Sequence, residues 1–371
     1  MPKQYTLLRI TCFFWLIAKL LSMKAWMADR LYPVVPVFEF TDTVSPALHS
    51  ILFYISCVCM AVLFVFPKRN DIPVFLLIAE ITSCLLDVTR WQPWEYQYIF
   101  TLLLFVFSRD NPKRLYSGFI FLFASIYIFS GLHKLNGGFL YTIWESMILR
   151  RFLSVSTTTI TDLKLHYAGL LLPLIEIVCG LALLLFKNKK WPALVLIGMH
   201  SFILVFIGPF GINYNIVVWP WNAAMILLLY TLFINQMSYN FSFGEMVKGC
   251  NGAIVVFWGI LPIFSFTGQW DQYLSSSLYS GSLLNMDVCV ADKNKVPQLN
   301  SYFSTKDKYC ICNGDARIVL QDWAFKEMRV PPYPEEWYYK RFKKQWEKKY
   351  GTNNARFILY AYPFKEKKEM E

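Results

Sequence analysis

Residues 46–66 read PALHSILFYISCVCMAVLFVF, a run of 21 residues without Asp, Glu, Lys or Arg. A helix needs about 20 largely apolar residues to cross the hydrocarbon core of a bilayer. Lys68 and Arg69 follow the run almost at once, and basic residues of this kind commonly flank membrane spans. The stretch therefore predicts a transmembrane helix.

Apolar runs of similar or slightly shorter length recur on both sides of this one. With it they make nine candidate spans. These are approximately Leu7–Met27, Pro46–Phe66, Pro73–Val88, Tyr96–Phe107, Tyr116–Leu132, Tyr167–Phe186, Ala193–Ile207, Tyr214–Ile234 and Ala253–Phe266. Because the third and fourth are short, we predict a bundle of about eight or nine transmembrane helices.

The composition of all 371 residues agrees with a membrane protein. The chain is 56% hydrophobic and 16% charged, and it contains 32 Phe, 22 Tyr and 13 Trp, whereas soluble proteins carry about 25% charged residues. The formal net charge is +11, but the basic residues lie in short clusters between apolar runs and in the C-terminal region. This pattern is typical of span flanks in contact with membrane lipid, and we predict no nucleic-acid partner.

The distribution of basic residues predicts the orientation. If the N-terminus is cytoplasmic, the inner segments hold eleven Lys and Arg and the longer outer loops hold seven, as the positive-inside rule requires. The first run also has the basic start of a secretory signal, but the later alternation of charge requires it to remain as a span. Nine spans then place the C-terminus outside. We expect an integral protein of the bacterial inner (plasma) membrane.

The composition changes after residue 267. Residues 268–371 contain 17 Lys and Arg against 13 Asp and Glu in 104 residues. Three strand-like runs and one helix are predicted there: Met286–Ala291, Arg317–Trp323, Arg356–Tyr362 and Glu335–Tyr350. The chain thus divides into an all-α polytopic membrane domain, residues 1–267, and a small extracytoplasmic α+β domain, residues 268–371.

Cysteine usage fits an oxidising location for the second domain. Cys289, Cys310 and Cys312 lie there, and outside the cytoplasm they predict one disulfide with one thiol left over. The sequence leaves the pairing open. No spacing of Cys with His indicates a metal site, so we predict none.

A few ionisable residues fall inside or near the candidate spans, where an unpaired charge costs several kcal/mol. Lys19 and Asp87 lie near segment ends, which favours snorkelling of their charged groups to the membrane surface. Glu80 and Glu176 lie mid-span. Each either pairs with a buried cation or takes part in a proton path.

Residues 127–139 read YIFSGLHKLNGGF. The pattern predicts an apolar helix that ends at Gly131 and brings His133 and Lys134 together at the outer membrane face. A partly desolvated lysine beside an imidazole favours a neutral amine that acts as a base, so both residues are catalytic candidates. The alternative is that they are ordinary interfacial anchors.

A second polar constellation runs from His200 to Asn222. Gly208, Pro209 and Gly211 interrupt the chain between two spans without any charge, a pattern tolerated where a loop is buried or lines a cavity. The alternative is an aromatic belt with a helix-packing turn. The predicted pocket-lining residues are His166, Glu176, His200, Asn213, Asn215, Trp219, Trp221 and Asn222.

These motifs resemble the horizontally transferred transmembrane domain family, which includes the vitamin K-dependent gamma-carboxylases. The resemblance covers residues 1–267 and is carried by Gly131, Lys134 and Leu135, then by the stretch from His166 to Leu172, by His200 and by Gly208. It implies that Lys134 is a base that deprotonates a reduced quinone, with His133 in place of a second lysine.

Two departures set the chain apart from the carboxylases. Where they have a functional histidine before a later span, the segment Trp91–Tyr96 offers Trp94 or Glu95. The large propeptide-binding and lumenal portion also has no counterpart in the roughly 100 residues after the last span. The resemblance therefore implies the scaffold and the site, with the reaction left open.

Three functions are compatible with the sequence. One is a membrane-embedded enzyme that uses Lys134 as a base on a quinol or an extracytoplasmic substrate. Another is a non-catalytic membrane subunit that docks an extracytoplasmic protein partner through residues 268–371, where Trp337, Tyr338, Tyr339, Phe342 and Trp346 fit an interface. The third is a transporter. The sequence shows no pair of broken spans in matching halves, which counts against this function.

Overall fold

The computed structural model describes residues 3–235, 240–305, 310–351, 354–361 and 367–370. The described chain is mostly helical, with one small antiparallel sheet near the C-terminus. This agrees with the predicted helical bundle followed by an α+β region.

Ten helices form the framework of the first 267 residues. In chain order they are Lys3–Leu21 (α1), Pro46–Val65 (α2), Ile72–Leu86 (α3), Pro93–Ser108 (α4), Pro112–Lys134 (α5), Phe139–Phe152 (α6), Leu165–Leu185 (α7), Lys190–Ile207 (α8), Val218–Ile234 (α9) and Asn251–Thr267 (α10). Short helical turns lie between them at Met23–Trp26, Glu39–Thr43, Val88–Arg90, Thr157–Asp162 and Phe243–Met246.

Five helices in the described part of the chain are long and apolar enough to cross a membrane: α1, α2, α5, α7 and α8. Helices α3, α9 and α10 are shorter apolar helices. Each of the nine predicted segments overlaps a different one of these ten helices. The first predicted segment, Leu7–Met27, is too long, because α1 ends at Leu21 and a separate short helix follows.

Helix α5 shows how local sequence sets the boundaries. The side chain of Asn111 accepts a hydrogen bond from the backbone N–H of Arg114, and Pro112 opens the helix, so the helix begins with a capping residue and a proline that needs no N–H partner. The predicted stop at Gly131 is wrong, because the helix continues to Lys134. Gly131 instead allows close packing: a Cβ there would lie 2.6 Å from the backbone oxygen of Pro173 in α7.

The chain forms two compact units. The bundle unit comprises Met1–Leu21, Tyr54–Ile81 and Pro93–Gly281, and the C-terminal unit comprises Ser22–Phe53, Thr82–Gln92 and Ser282–Glu371. The predicted boundary at residue 268 stays a prediction about domain organisation. The C-terminal unit includes two segments from the first hundred residues. The composition of the sequence does not predict that these segments belong to it.

The C-terminal unit contains a four-stranded antiparallel sheet in the order β2-β1-β3-β4. Its elements are Asn285–Val290 (β1), Ala316–Val319 (β2), Leu320–Met328 (α11), Glu336–Tyr350 (α12), Ala355–Tyr360 (β3) and Lys367–Glu369 (β4). The predicted strand Arg317–Trp323 is wrong beyond Val319. There the buried residues Leu320, Trp323 and Ala324 follow helical spacing. Tyr362, the predicted end of the last strand, lies outside the described residues.

Helix α12 buries an aromatic face. Tyr338, Tyr339, Phe342 and Trp346 are at most 1% exposed, at the spacing of three and four residues that lines one side of a helix. These four residues therefore form no exposed interface or membrane-surface face, whereas Trp337 of the same helix is half-buried. They form the core of their own unit, where Trp346 packs edge-on against the ring of Phe357 in β3.

A disulfide joins Cys289 in β1 to Cys312. This resolves the alternatives that the sequence left open, and Cys310 is an exposed cysteine outside the bond. Cys289 and Cys312 are fully buried and pack with Ile311, Ile358 and Tyr360. The disulfide therefore lies within the core of the C-terminal unit.

The two charged residues predicted to snorkel are in fact buried. Lys19 lies 2.6 Å from a carboxylate oxygen of Glu80, and neither side chain is exposed. Asp87 pairs with the guanidinium of Arg30 and lies 4.0 Å from that of Arg90, again with no exposure. An opposite charge within the protein stabilises each group, so neither has to reach the membrane surface.

Candidate functional site

Lys134 and Glu176 form an ion pair between α5 and α7. The Lys134 Nζ donates to both carboxylate oxygens of Glu176, at 2.6 and 2.8 Å, and to the hydroxyl of Ser130 at 2.8 Å. The two side chains are 13% and 5% exposed. The glycines at positions 131 and 180 allow the approach, because a Cβ at Gly180 would lie 2.9 Å from the backbone oxygen of Ala124.

A hydrogen-bond chain lies beside this pair. The Tyr127 hydroxyl and the His200 Nε2 are 2.8 Å apart, and the His200 Nδ1 and the Asn222 Oδ1 are 2.7 Å apart. Because the Asn222 amide donates to the backbone oxygen of Val218, its Oδ1 faces His200 as an acceptor. Nδ1 is then the protonated nitrogen, and the Tyr127 hydroxyl donates to Nε2.

A cavity of about 60 Å³ brings these groups together in the bundle unit. A second cavity of about 80 Å³ shares Lys134, Glu176, Met199, Ile203 and Tyr279 with the first and is otherwise apolar. Ligand pockets usually span about 300 Å³ or more. A ligand larger than a few water molecules therefore enters only if lining side chains move.

The structure brings five of the predicted site residues to the first cavity. These are Lys134, Glu176, His200, Trp221 and Asn222. They come from helices α5, α7, α8 and α9, which lie far apart in the sequence. Residues from both sequence motifs thus line one cavity in the described structure, and their roles stay a prediction.

His133 does not share the site of Lys134. Its Nε2 lies 3.0 Å from the Ser265 hydroxyl, and its ring stacks on Phe266 at 4.4 Å. Successive helix residues point about 100° apart, so two neighbours on one helix face different surroundings. The prediction that the two side chains act together is therefore not supported by their placement.

The other predicted residues also lie away from the cavity lining. His166 stacks with Tyr141 and Tyr167, and the Trp219 indole donates to the backbone oxygen of Tyr214. Asn213 and Asn215 have left-handed backbone conformations, with φ of 49° and 48°. The amide of Asn215 donates to the hydroxyl of Tyr279 at 2.9 Å, so it contacts a lining residue without lining the cavity itself.

The Gly208–Asn215 loop is not the buried loop that its lack of charge predicted. Phe210 at its tip is 94% exposed. A bulky apolar residue this exposed fits a loop at the level of the lipid head groups, where aromatic side chains are favoured. The polar side chains that do reach the cavity come from the helix after the loop.

Several lining residues were missed from the sequence: Gln97, Tyr127, Ser130, Trp258, Ser276 and Tyr279. Tyr127, Ser130 and Lys134 follow the i, i+3, i+7 spacing of one helix face. This spacing predicts from the sequence that Tyr127 and Ser130 lie on the same face as Lys134. Gln97 accepts a hydrogen bond from the Trp221 indole at 2.8 Å, and this contact joins two helices that no local pattern connects.

The arrangement suits proton transfer. The Lys134 Nζ and a Glu176 carboxylate oxygen are 2.6 Å apart, within range of direct proton transfer, and the cavity beside them admits a small reactant. No group of three or more His, Cys, Asp or Glu side chains in the described part of the chain is arranged to hold a metal ion.

No protein-family model, curated protein or solved structure matches the chain. The resemblance to the horizontally transferred transmembrane domain family rests on the short motifs around Lys134 and His200. It stays a prediction.

Proposed function

We propose that the chain is a membrane-embedded enzyme in which Lys134 and Glu176 accept a proton from a lipid-soluble substrate. The observation that carries this proposal is the position of the ion pair, which lines the two cavities described above. One cavity offers polar groups and the other an apolar wall, so a substrate with a polar head and an apolar body matches the two.

The step is the removal of a hydroxyl proton. The substrate O–H bond breaks, the electron pair stays on the oxygen, and the proton passes to the pair. Glu176 accepts it directly, or Lys134 accepts it after its own proton has crossed the 2.6 Å Nζ–Oε1 hydrogen bond to Glu176. In both cases the pair gains one proton, and the Lys134 ammonium remains beside the new anion, which it stabilises.

The substrate class follows from the same features. A phenolic hydroxyl gives up its proton more readily than an alcohol, and an aromatic ring suits the walls formed by Trp221, Trp258 and Tyr279. A reduced quinone combines both properties. Membership in the horizontally transferred transmembrane domain family would imply the same class.

We further propose nine spans with the C-terminal unit outside the cytoplasm. The C-terminal unit contains loops that follow the first and third spans, and these contact the C-terminal segment: Glu327 accepts hydrogen bonds from the backbone of Leu31 and Tyr32, and Gln92 donates to Pro331. Segments in contact lie on one side of a membrane. The last span is then odd-numbered, which favours nine over eight.

Contacts on the opposite side support the same topology. Lys3 donates to the backbone oxygen of Leu232, Arg109 donates to Asn70, and Arg114 pairs with Glu245 at 3.5 Å. These residues lie at the ends of spans assigned to the cytoplasm. The disulfide between Cys289 and Cys312 supports an oxidising location for the C-terminal unit, such as the outer side of a bacterial inner membrane.

The proposed proton acceptance is tested with 4-nitrophenol, whose ionised form absorbs visible light. Full-length protein in lipid nanodiscs is titrated with the phenol at a pH below that at which the free phenol ionises. We expect saturable appearance of the phenolate, and its displacement by a short-chain hydroquinone. The variants Lys134→Met and Glu176→Gln should reduce the bound phenolate at least tenfold.

The matched control is Lys187→Met, which removes an exposed lysine just after α7 and should leave the signal unchanged. If Lys134→Met and Glu176→Gln form as much phenolate as the unaltered protein, the proposed function is wrong.

The docking alternative has lost the feature that motivated it, because the aromatic face of α12 is buried within its own unit. The exposed side of α12 carries Lys344 and Lys348, which pair with Glu39 and Asp42 of the same unit. A protein partner for residues 268–371 stays a prediction without a specific surface to support it.

A further inference from the structure

A second buried ionisable cluster lies in the bundle unit, and the proposed function does not use it. It consists of Lys19 on α1, Glu80 on α3 and Glu95 on α4, all fully buried. We name it the Lys19 cluster. Lys19 contacts Glu80 at 2.6 Å, and the Trp15 indole donates to Glu95 at 2.7 Å.

The cluster contains one cation and two carboxyl groups. Glu95 experiences the positive charge of Lys19 and the negative charge of Glu80. If both carboxyl groups were ionised, the apolar interior would hold one uncompensated negative charge, which is costly away from water. One additional positive charge, carried by a small ligand, brings the cluster to neutrality.

Two buried oxygen atoms indicate that the ligand is a proton. The Oε1 atoms of Glu80 and Glu95 are inaccessible to solvent and have no hydrogen-bond partner among the described residues. The two carboxyl groups nevertheless belong to one buried cluster, in which Glu80 acts directly on Glu95. Two carboxylates repel each other, whereas an acid and a carboxylate form a strong, short hydrogen bond.

Three further groups among the described residues act on the cluster electrostatically and do not supply the missing charge. They are Cys57 and Cys59 from α2 and Tyr98 from α4. All three are neutral when protonated and become negative when they ionise. They therefore cannot replace a positive charge between the two carboxyl groups.

We propose that the Lys19 cluster is a proton-binding site in which Glu80 and Glu95 share one proton. With that proton bound, the ammonium of Lys19, one carboxylate and one carboxylic acid form a neutral set that links α1, α3 and α4. Release of the proton leaves an unbalanced charge among the three helices. The site is separate from the cavity at Lys134 and does not depend on the function proposed for that cavity.

The test is infrared spectroscopy of the full-length protein in nanodiscs, since protonated carboxylic acids absorb apart from carboxylates. Measurement at pH 8 keeps Asp287, whose pKa burial raises to about 6, in its ionised form. We expect a band from one buried acid that shifts in D₂O. Glu80→Gln and Glu95→Gln should each remove it, because one carboxylate then remains to balance Lys19.

Lys19→Met should have the opposite effect and about double the band, because both carboxyl groups then need a proton to be neutral. Asp71→Asn removes an exposed carboxylate and should change nothing. If the unaltered protein lacks the band, or if Glu80→Gln and Glu95→Gln both retain it, the proposal is overturned. Should one glutamine variant fail to fold, the other and the unaltered protein decide the result.

Discussion

Two lysine–glutamate pairs in the bundle unit have the same contact distance and different surroundings. Lys134 lies 2.6 Å from Glu176, and Lys19 lies 2.6 Å from Glu80. The first pair lines two cavities and contains one carboxylate for one ammonium. The second is fully buried beside an additional carboxyl group. Surroundings and charge balance, and not distance, separate a site suited to a reactant from one suited to a single proton.

Replacing each lysine tests most directly whether the two pairs differ. Lys19→Met leaves two fully buried carboxyl groups without their cation, and we expect it to lower the free energy of unfolding by about 3–5 kcal/mol. Lys134→Met leaves Glu176 beside a cavity that admits water, so about 1–2 kcal/mol is expected. Denaturant titrations of the two variants in detergent measure the difference.

Glu80→Gln is the matched control for Lys19→Met, because Glu95 remains to balance the ammonium. It should cost less than the lysine replacement. Equal losses for Lys19→Met and Lys134→Met would show that the surroundings of the two pairs do not differ in the way described.

Asp287 in the C-terminal unit extends the comparison to a third buried ion pair, with Arg317 at 2.6 Å. Burial raises its pKa to about 6, although Arg317 and Tyr360 oppose the shift. The folded pKa exceeds the unfolded value of about 3.9. The corresponding stability is therefore full below about pH 4 and is lost as the pH rises to about 6, a change of about 3 kcal/mol.

Asp287→Asn tests this pH dependence, because asparagine does not titrate. The unfolding of the C-terminal unit is followed by near-ultraviolet circular dichroism. Between pH 4 and 8, its free energy of unfolding should fall by about 3 kcal/mol more in the unaltered protein than in the variant. Identical pH profiles would mean that Asp287 titrates near its ordinary pKa.

A modest effect is expected at the helix contact behind the Lys134 pair. Gly131→Val places a Cβ within 2.6 Å of the Pro173 backbone oxygen and should cost about 1–3 kcal/mol through overpacking. It should also weaken phenol binding, because α5 and α7 separate. Gly198→Ala in α8 is the control, since a Cβ there meets nothing within 4 Å. A Gly131→Val protein that binds normally would show that the close approach is not needed for the site.

Much of the helical framework was predictable, because an apolar run of span length has few alternatives to a helix. The pocket was predictable in part. Lys134, Glu176 and His200 stand out as polar residues in apolar runs, and Tyr127 follows from helical spacing. The divergence of His133 from Lys134 also follows from helix geometry, once α5 is known to continue past Gly131.

The sequence does not predict which residues far apart in the chain form pairs. Lys19 and Glu80 are 61 residues apart, and many lysines and glutamates satisfy that separation. The same holds for Asp87 and Arg30, whose mutual neutralisation removes the reason to expect snorkelling. Periodicity identifies the elements and the faces they bury, but packing decides which buried charges meet.

The make-up of the C-terminal unit has a consequence for biosynthesis. Ser22–Phe53 and Thr82–Gln92 leave the ribosome long before Ser282–Glu371, the segment they fold with. Until Ser282–Glu371 has been synthesised, Arg30 and Tyr32 lack part of their final surroundings. The proposed spans would thus be inserted while the loops between them are still incomplete, and the C-terminal unit can fold only after the bundle segments have been made.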